Sequence, residues 1–212
     1  MAEPRLRADA QRNFERLTTA AVAVFRERGL DAPLEEIAKR AGVSGGTLYN
    51  RFGTREALLD AVMPDLLAAG IAAAQEKASA CEDAWEAFAG YLEALGELQG
   101  QNAAFNDAVS RRFPDAERLT ELCDSQWSFA ERLIDRAHQD GSLRADFTAG
   151  DMPLVLISTS NIIRVTAGIA PDAWRRGLAL ILDGLRAGAA HPLPGPPMTE
   201  DQNLEAMLRR SR

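Results

Sequence analysis

Three neighbouring side chains, Tyr49, Asn50 and Arg51, carry hydrogen-bonding groups suited to contact with nucleic acid. Asparagine pairs with adenine and arginine with guanine on the major-groove edge of DNA, and a tyrosine hydroxyl can donate to a phosphate. In a helix, Leu48 and Phe52 would share the inner face at i and i+4 and leave these three residues outside. The pattern predicts a short helix with a DNA-reading face; the alternative for each side chain is an ordinary solvated position.

The residues before this segment predict a second helix that packs against it at a fixed angle. An apolar stripe with the spacing i, i+3, i+4 and i+7 is formed by Leu34, Ile37, Ala38 and Ala41. Gly42 follows as a helix stop, and Ser44 is a good N-cap for the next helix. Two short helices joined through a glycine are typical of the helix-turn-helix motif, whose second helix enters the major groove.

The order of several residues extends this pattern in both directions. They are Phe25, Gly29, Ile37, Ala38, Ala41, Gly42, Val43, Ser44, Gly46, Thr47, Leu48, Tyr49, Phe52, Ala57 and Leu58. Up to Val62 the chain resembles the amino-terminal domain of TetR-family transcriptional regulators. The resemblance implies an all-α protein, in which a three-helix helix-turn-helix domain is joined to a larger helical domain for ligand binding and dimerisation.

The resemblance also assigns the residues that contact DNA. They are Ser44, Gly45, Gly46 and Thr47 at the start of the recognition helix, then Tyr49, Asn50, Arg51, Thr54 and Arg55. A helix amino terminus favours phosphate through its free backbone N–H groups and its dipole. Gly45 departs from many relatives, which carry a long or basic residue there, so the resemblance does not imply the side-chain contact that is usual at this position.

The distribution of charge is compatible with DNA binding. The formal net charge of −7 divides into +1 for residues 1–62 and −8 for the remainder. We call residues 1–62 the head and the remainder of the chain the body. Phosphate contacts need only a local basic face, and the electrostatic field of an acidic body suppresses non-specific attachment to DNA. A roughly neutral head on an acidic body therefore suits a DNA-binding protein.

Helical periodicity continues along the rest of the chain and divides it into three predicted parts. Residues 1–62 form the DNA-binding domain, residues 63–190 a helical effector-binding and dimerisation domain, and residues 191–212 a flexible Pro-rich tail. Pro64 lies inside the predicted fourth helix, which joins head and body, and we expect a kink there.

Two apolar helices near the carboxyl terminus suggest a surface for a second copy of the chain. The last helix has an apolar stripe formed by Trp174, Leu178, Ile181, Leu182 and Leu185. In TetR-like proteins the last two helices pair with their copies, so the resemblance implies a homodimer through this stripe. Ordinary core packing is the alternative interpretation.

Aromatic and polar residues of the body are candidates for lining a cavity that binds a small-molecule effector. The predicted set is Trp85, Tyr91, Phe105, Trp127, Asn161 and Arg164. Ligand pockets in helical domains are mostly apolar with a few polar anchors, although each of these residues is individually as compatible with simple core.

Catalysis finds little support in the sequence. His138 and His191 are the only histidines, and neither has a carboxylate or nucleophile at useful spacing. The acidic residues Asp140, Asp146 and Asp151 surround a turn, which a solvated loop explains better than a metal site. We expect no enzyme activity, no metal and no cofactor.

The sequence therefore predicts a cytoplasmic, ligand-responsive transcriptional regulator that is a repressor and a homodimer. It would bind a palindromic double-stranded DNA operator and be released from it by an unknown small-molecule effector. Two cysteines are too few for a disulfide framework, and the sequence offers no signal peptide or membrane partner. The alternative is a helical small-molecule or lipid-binding protein that has lost useful DNA affinity.

Overall fold

The structure, a computed structural model, describes residues 3–209, with side chains from residue 11 onward. Within that range the chain forms ten α-helices and no β-strand, which confirms the all-α prediction. The helices are α1 Glu3–Arg28, α2 Leu34–Ala41, α3 Gly45–Phe52, α4 Arg55–Ala80, α5 Ala84–Gln101, α6 Ala103–Ala108, α7 Glu117–Asp140, α8 Met152–Thr166, α9 Ala173–Leu185 and α10 Glu200–Arg209.

The first three helices form the head, and their ends follow the local sequence signals. The predicted stripe of α2 is buried, and Gly42 ends this helix in the left-handed conformation with φ at 67°. The hydroxyl of Ser44 then accepts the backbone N–H of Thr47 at 3.2 Å. Only Leu48 of α3 is fully buried, so most of this helix remains at the surface.

Helix α4 joins the head to the body and continues through Pro64 without interruption. Because proline has no backbone N–H, the carbonyl of Asp60 loses its usual helical partner. Arg118 of α7 takes that place, with Nη1 donating to the Asp60 carbonyl at 3.2 Å and Nη2 to Asp65 at 3.0 Å. The proline position is therefore bound to the start of α7.

The body is built around α4, which packs against α5 and α7, while α8 and α9 pack together against α5. By length and apolar composition α4 would be able to cross a bilayer. Most of its large apolar side chains are instead buried, and the helix packs against α1, α5 and α7, as expected for a core helix of the fold.

The carboxyl-terminal segment packs more extensively than we predict from its prolines. Residues 191–199 lack regular structure, as expected, but α10 then returns to the body. Asn203 donates from Nδ2 to the carbonyl of Gly150 at 3.0 Å, and Met207 is buried. The expectation of a free appendage is wrong for α10, because a few apolar contacts after the proline segment suffice to dock it.

Candidate DNA-binding surface and effector cavity

The outer face of α3 presents the side chains that the sequence assigns to base reading. Tyr49 is 48% exposed and Asn50 is also exposed. Arg51 is exposed too, but its guanidinium lies over the ring of Phe14, 4.6 Å from the centroid. Tyr49 and Asn50 therefore point outward from the helix, whereas Arg51 is partly engaged by the head itself.

The amino terminus of α3 is open to an approaching backbone. A Cβ added at Gly45 would meet no atom within 4 Å, and at Gly46 only the Ser44 hydroxyl at 3.7 Å. Thr47 lies in the first turn, with its hydroxyl 3.0 Å from that of Ser44. The space beside these two glycines is therefore free of other side chains, as an approach of phosphate to the first-turn N–H groups would require.

The start of α4 holds two residues predicted to contact DNA. Thr54 is its N-cap and accepts the N–H of Ala57 at 3.1 Å, yet the Thr54 side chain remains exposed. Arg55 is turned inward, and its Nη1 donates to the carbonyls of Leu30 and Ala32 at 2.7 and 2.9 Å. The guanidinium of Arg55 is thus hydrogen-bonded to the α1–α2 loop, an arrangement that competes with the predicted phosphate contact, which stays a prediction.

Replacement of Arg55 by Met should therefore lower stability rather than change DNA recognition. Removing a charged donor from two part-buried carbonyls costs about 1–3 kcal/mol. We expect chemical denaturation of Arg55→Met to show that loss, while the dependence of DNA affinity on salt keeps its slope. A slope reduced by about one would instead assign Arg55 to a phosphate.

A cavity of about 70 Å³ lies in the body between α4, α5, α6, α7 and α8. Three of the predicted effector residues, Tyr91, Phe105 and Trp127, line it together. Its remaining lining is mostly aliphatic and includes Leu67, Ile71, Leu95, Leu122, Ala130, Met152 and Leu156. The composition matches a binding site for an apolar small molecule.

The other three predicted effector residues lie elsewhere, which corrects that part of the prediction. Trp85 packs under the guanidinium of Arg186, 4.3 Å from the ring centroid. Asn161 and Arg164 are exposed on α8 and bond to each other at 2.6 Å. Helical periodicity identifies the face of a helix but not which neighbouring helices enclose a cavity, so these residues could not be separated from the others.

The polar groups of the cavity are few. The Tyr91 hydroxyl donates to Oε1 of Gln126 at 3.2 Å, and burial raises the pKa of Tyr91, so the phenol stays protonated. Burial also raises the pKa of Cys123, which keeps this lining thiol neutral. Gln126 and Met207 were not predicted, because the spacing of α7 and α10 does not indicate which residues converge on the cavity.

One residue of the cavity wall also contacts the head. Arg111 forms a paired interaction with Asp31 of the α1–α2 loop, at 2.7 and 2.5 Å. This interaction raises the pKa of Arg111 and lowers that of Asp31. A displacement of Arg111 in the cavity wall would therefore act directly on the loop that precedes the helix-turn-helix.

The carboxylate of Asp107 on α6 makes a second contact to the same loop. It accepts the backbone N–H of Leu30 at 2.8 Å. At Gly29, where φ is 81°, a Cβ would lie 2.3 Å from Oδ2 of Asp107, so only glycine permits this approach. The head is thus hydrogen-bonded to the element that forms one side of the cavity.

The predicted dimer stripe lies mainly inside the subunit. Four of its five residues, Trp174, Leu178, Leu182 and Leu185, are buried in the single chain, and only Ile181 is half-buried. Trp174 packs against Gly96 and Gly100 of α5. The assignment of these four residues to a partner surface is wrong, because the periodicity of one helix does not distinguish its own core from a partner.

The opposite faces of α8 and α9 expose apolar side chains. Leu180 is 63% exposed and Ile169, in the connection between the helices, is 85% exposed. Leu154 and Val165 of α8 are also exposed, and Ile157 is half-buried. An apolar surface that spans two adjacent helices is typical of a protein–protein interface.

Comparison with known proteins agrees with this arrangement. Residues 17–62 match the family of bacterial regulatory proteins of the tetR family, and residues 83–187 match the carboxyl-terminal domain of SbtR-like transcriptional regulators. The chain is 26% identical over 189 residues to the HTH-type transcriptional repressor KstR2 of Rhodococcus jostii, covering 80% of this chain and 89% of the relative.

Solved structures give the same result for the fold. The TetR family transcriptional regulator PfmR from Thermus thermophilus is 26% identical, with 80% of this chain and 98% of that chain covered and a TM-score of 0.57. RolR in complex with resorcinol is 23% identical, with 89% and 98% covered and a TM-score of 0.58. The matched families are transcriptional regulators rather than enzymes. With a head and a body that both match regulator families, this chain belongs to the TetR family of transcriptional regulators.

Proposed function

We propose that this regulator is a repressor that binds a palindromic operator as a homodimer and is released when a small molecule enters the body cavity. The observation that carries the proposal is the position of Arg111, which lines the cavity and pairs with Asp31 of the head. A ligand that moves this wall changes the support of the recognition helix.

The DNA-binding part of the proposal rests on α3. Tyr49 is exposed and has a hydroxyl that can donate a hydrogen bond to a phosphate, and the exposed Asn50 has an amide that can read a base. The amino terminus of α3 is open at Gly45 and Gly46. One such helix reads only a few base pairs. Helix-turn-helix proteins gain specificity by presenting two recognition helices roughly 34 Å apart to a palindrome.

The dimer part of the proposal uses the outer faces of α8 and α9 instead of the buried stripe. Leu154, Val165 and Leu180 lie on these faces and would be covered by the same residues of a second copy, as in a two-fold interface. Their burial removes apolar surface from water, which is the main driving force for such association.

The effector part follows from the size and contacts of the cavity. Drug-sized ligands need roughly 300–1,000 Å³, so the cavity of about 70 Å³ must expand to admit one. An effector that prefers the expanded form shifts the population toward it, by no more than its differential affinity for the two forms. The similar structure of RolR contains resorcinol, and the relative KstR2 is named a transcriptional repressor, which supports a ligand-responsive repressor.

The experiment that tests this function is selection of duplexes from a random pool by the purified full chain, followed by affinity measurements at several salt concentrations. We expect enrichment of a palindrome, and a specific affinity that exceeds non-specific affinity by about 10³-fold or more. A cytoplasmic repressor requires such a site. Absence of any enriched sequence would favour the helical carrier that has lost DNA affinity.

The roles of Asn50 and Tyr49 can be separated on the selected operator. Asn50→Ala should relax preference at one base position by about 1–3 kcal/mol, because it removes a bidentate contact to a base. Tyr49→Phe removes only a hydroxyl that donates a hydrogen bond to a phosphate, so it should weaken binding to all DNA sequences alike. Equal losses for Asn50→Ala on operator and random duplex would contradict base reading by this residue.

A further inference from the structure

Two polar groups that line the cavity have incomplete hydrogen bonding, Nε of Arg111 and the side-chain amide of Gln126. Oε1 of Gln126 accepts the Tyr91 hydroxyl at 3.2 Å, whereas its Nε2 is buried and has no partner among residues 11–209. Turning the amide over would let Nε2 donate to Tyr91 and leave Oε1 unpaired instead. In either orientation Gln126 leaves one buried hydrogen-bonding atom for a ligand, because both residues line the cavity.

Each arginine at the edge of the cavity is already paired with a carboxylate, although Nε of Arg111 is buried without a hydrogen-bond partner among the residues that the structure describes. Arg111 is paired with Asp31, and Arg112 lies 3.3 Å from Asp124. No acidic residue is among the residues that line the cavity within the described part of the chain. A cationic ligand would therefore lose its hydration without gaining an opposite charge, and an anionic ligand would meet only arginines whose charge a carboxylate already compensates.

One part of the cavity wall is formed by a flexible side chain. Met207 of α10 lines the cavity and also a groove of about 730 Å³ beside it, to which Trp127 and Arg112 contribute as well. Methionine is unbranched and fills irregular gaps adaptably. Withdrawal of Met207 toward the groove would enlarge the cavity.

We propose that the effector is a neutral, largely apolar molecule that carries one hydroxyl group, which bonds to Gln126 and takes the place of the Met207 side chain. A hydroxyl donates and accepts, so it matches either orientation of the amide. The apolar remainder of the molecule contacts the aliphatic and aromatic lining. This inference rests on the proposed function only in taking the cavity as the effector site.

Calorimetric titration of the full chain with three monosubstituted benzenes tests the proposal without DNA. The probes are benzyl alcohol, which has a hydroxyl group, toluene, which has no polar group, and benzoate, which has a negative charge. We expect benzyl alcohol to bind about tenfold tighter than toluene, which corresponds to one net hydrogen bond, and benzoate to bind weakest. Benzoate as the tightest ligand would overturn the proposal.

Two variants identify the residues responsible. Gln126→Leu should bring the ratio of benzyl alcohol to toluene affinity to about one, whereas Gln139→Leu, at an exposed site on the same helix, should leave it unchanged. Met207→Ala should tighten binding of benzyl alcohol by enlarging the cavity. A preference for the alcohol that persists in Gln126→Leu would overturn the role of Gln126.

Failure of this proposal is distinct from failure of the proposed function. If neither the parent chain nor Met207→Ala binds benzyl alcohol, the assignment of the hydroxyl-bearing class is wrong. Duplex selection by the same protein then still decides whether it reads DNA.

Discussion

Leu180→Asp should produce a folded monomer that has lost operator binding. Leu180 is 63% exposed in the single chain, so a carboxylate there costs little within the subunit. In the proposed dimer the same position lies in the apolar centre of the interface, where an unpaired charge is strongly unfavourable. Because the two recognition helices then act separately, operator affinity should fall by a factor on the order of 10²–10⁴.

The matched variant is Leu178→Asp, two residues earlier on the same helix. Leu178 is 2% exposed and lies in the subunit core, so an aspartate there should unfold the body rather than separate two folded copies. Sedimentation gives the mass of each variant and circular dichroism its helix content. A dimer of unchanged mass in Leu180→Asp would move the interface to another face.

Asp107→Ala should weaken the communication between cavity and operator. The carboxylate of Asp107 accepts the N–H of Leu30, a buried residue. Removing the carboxylate leaves this N–H without a partner, at a cost of about 1–3 kcal/mol in stability. Coupling between two sites commonly changes affinity by about 5–150-fold. We expect the ratio of operator affinity without effector to operator affinity with effector to fall in the variant, because one of the hydrogen-bonded links between the head and the cavity wall is lost while the Arg111–Asp31 pair remains.

The control for this prediction is Asp83→Ala, which removes a carboxylate that accepts the N–H of Glu86 at 2.8 Å within the body. Loss of this N-cap should lower stability by about 1 kcal/mol and leave coupling intact. Operator affinity is measured with and without saturating benzyl alcohol in all three proteins. Equal ratios in the parent and Asp107→Ala would show that α6 does not transmit the signal.

The head could be predicted from the sequence because its signals are local. Leu34, Ile37 and Ala41 define one face by spacing alone, Gly42 ends the helix and Ser44 begins the next. Each of these choices depends on residues within one or two turns. The same reasoning placed Tyr49 and Asn50 at the surface, where the structure has them.

Contacts between distant residues could not be predicted in this way. The spacing of Trp174, Leu178 and Leu182 correctly indicates a buried face, but it does not say whether α5 or a second copy covers it. Arg55 reads as a surface cation until the fold brings the carbonyls of Leu30 and Ala32 to it. Met207 follows a proline-rich segment, so its return to the cavity leaves no local signal.

The most direct test of paired recognition helices is footprinting of the purified chain on its selected operator and on a copy with about 5 base pairs inserted between the half-sites. An insertion of about half a helical turn places the second half-site on the opposite side of the duplex. We predict symmetric protection of the parent operator and loss of high-affinity binding on the altered copy. Unchanged affinity and protection on the altered copy would contradict paired recognition.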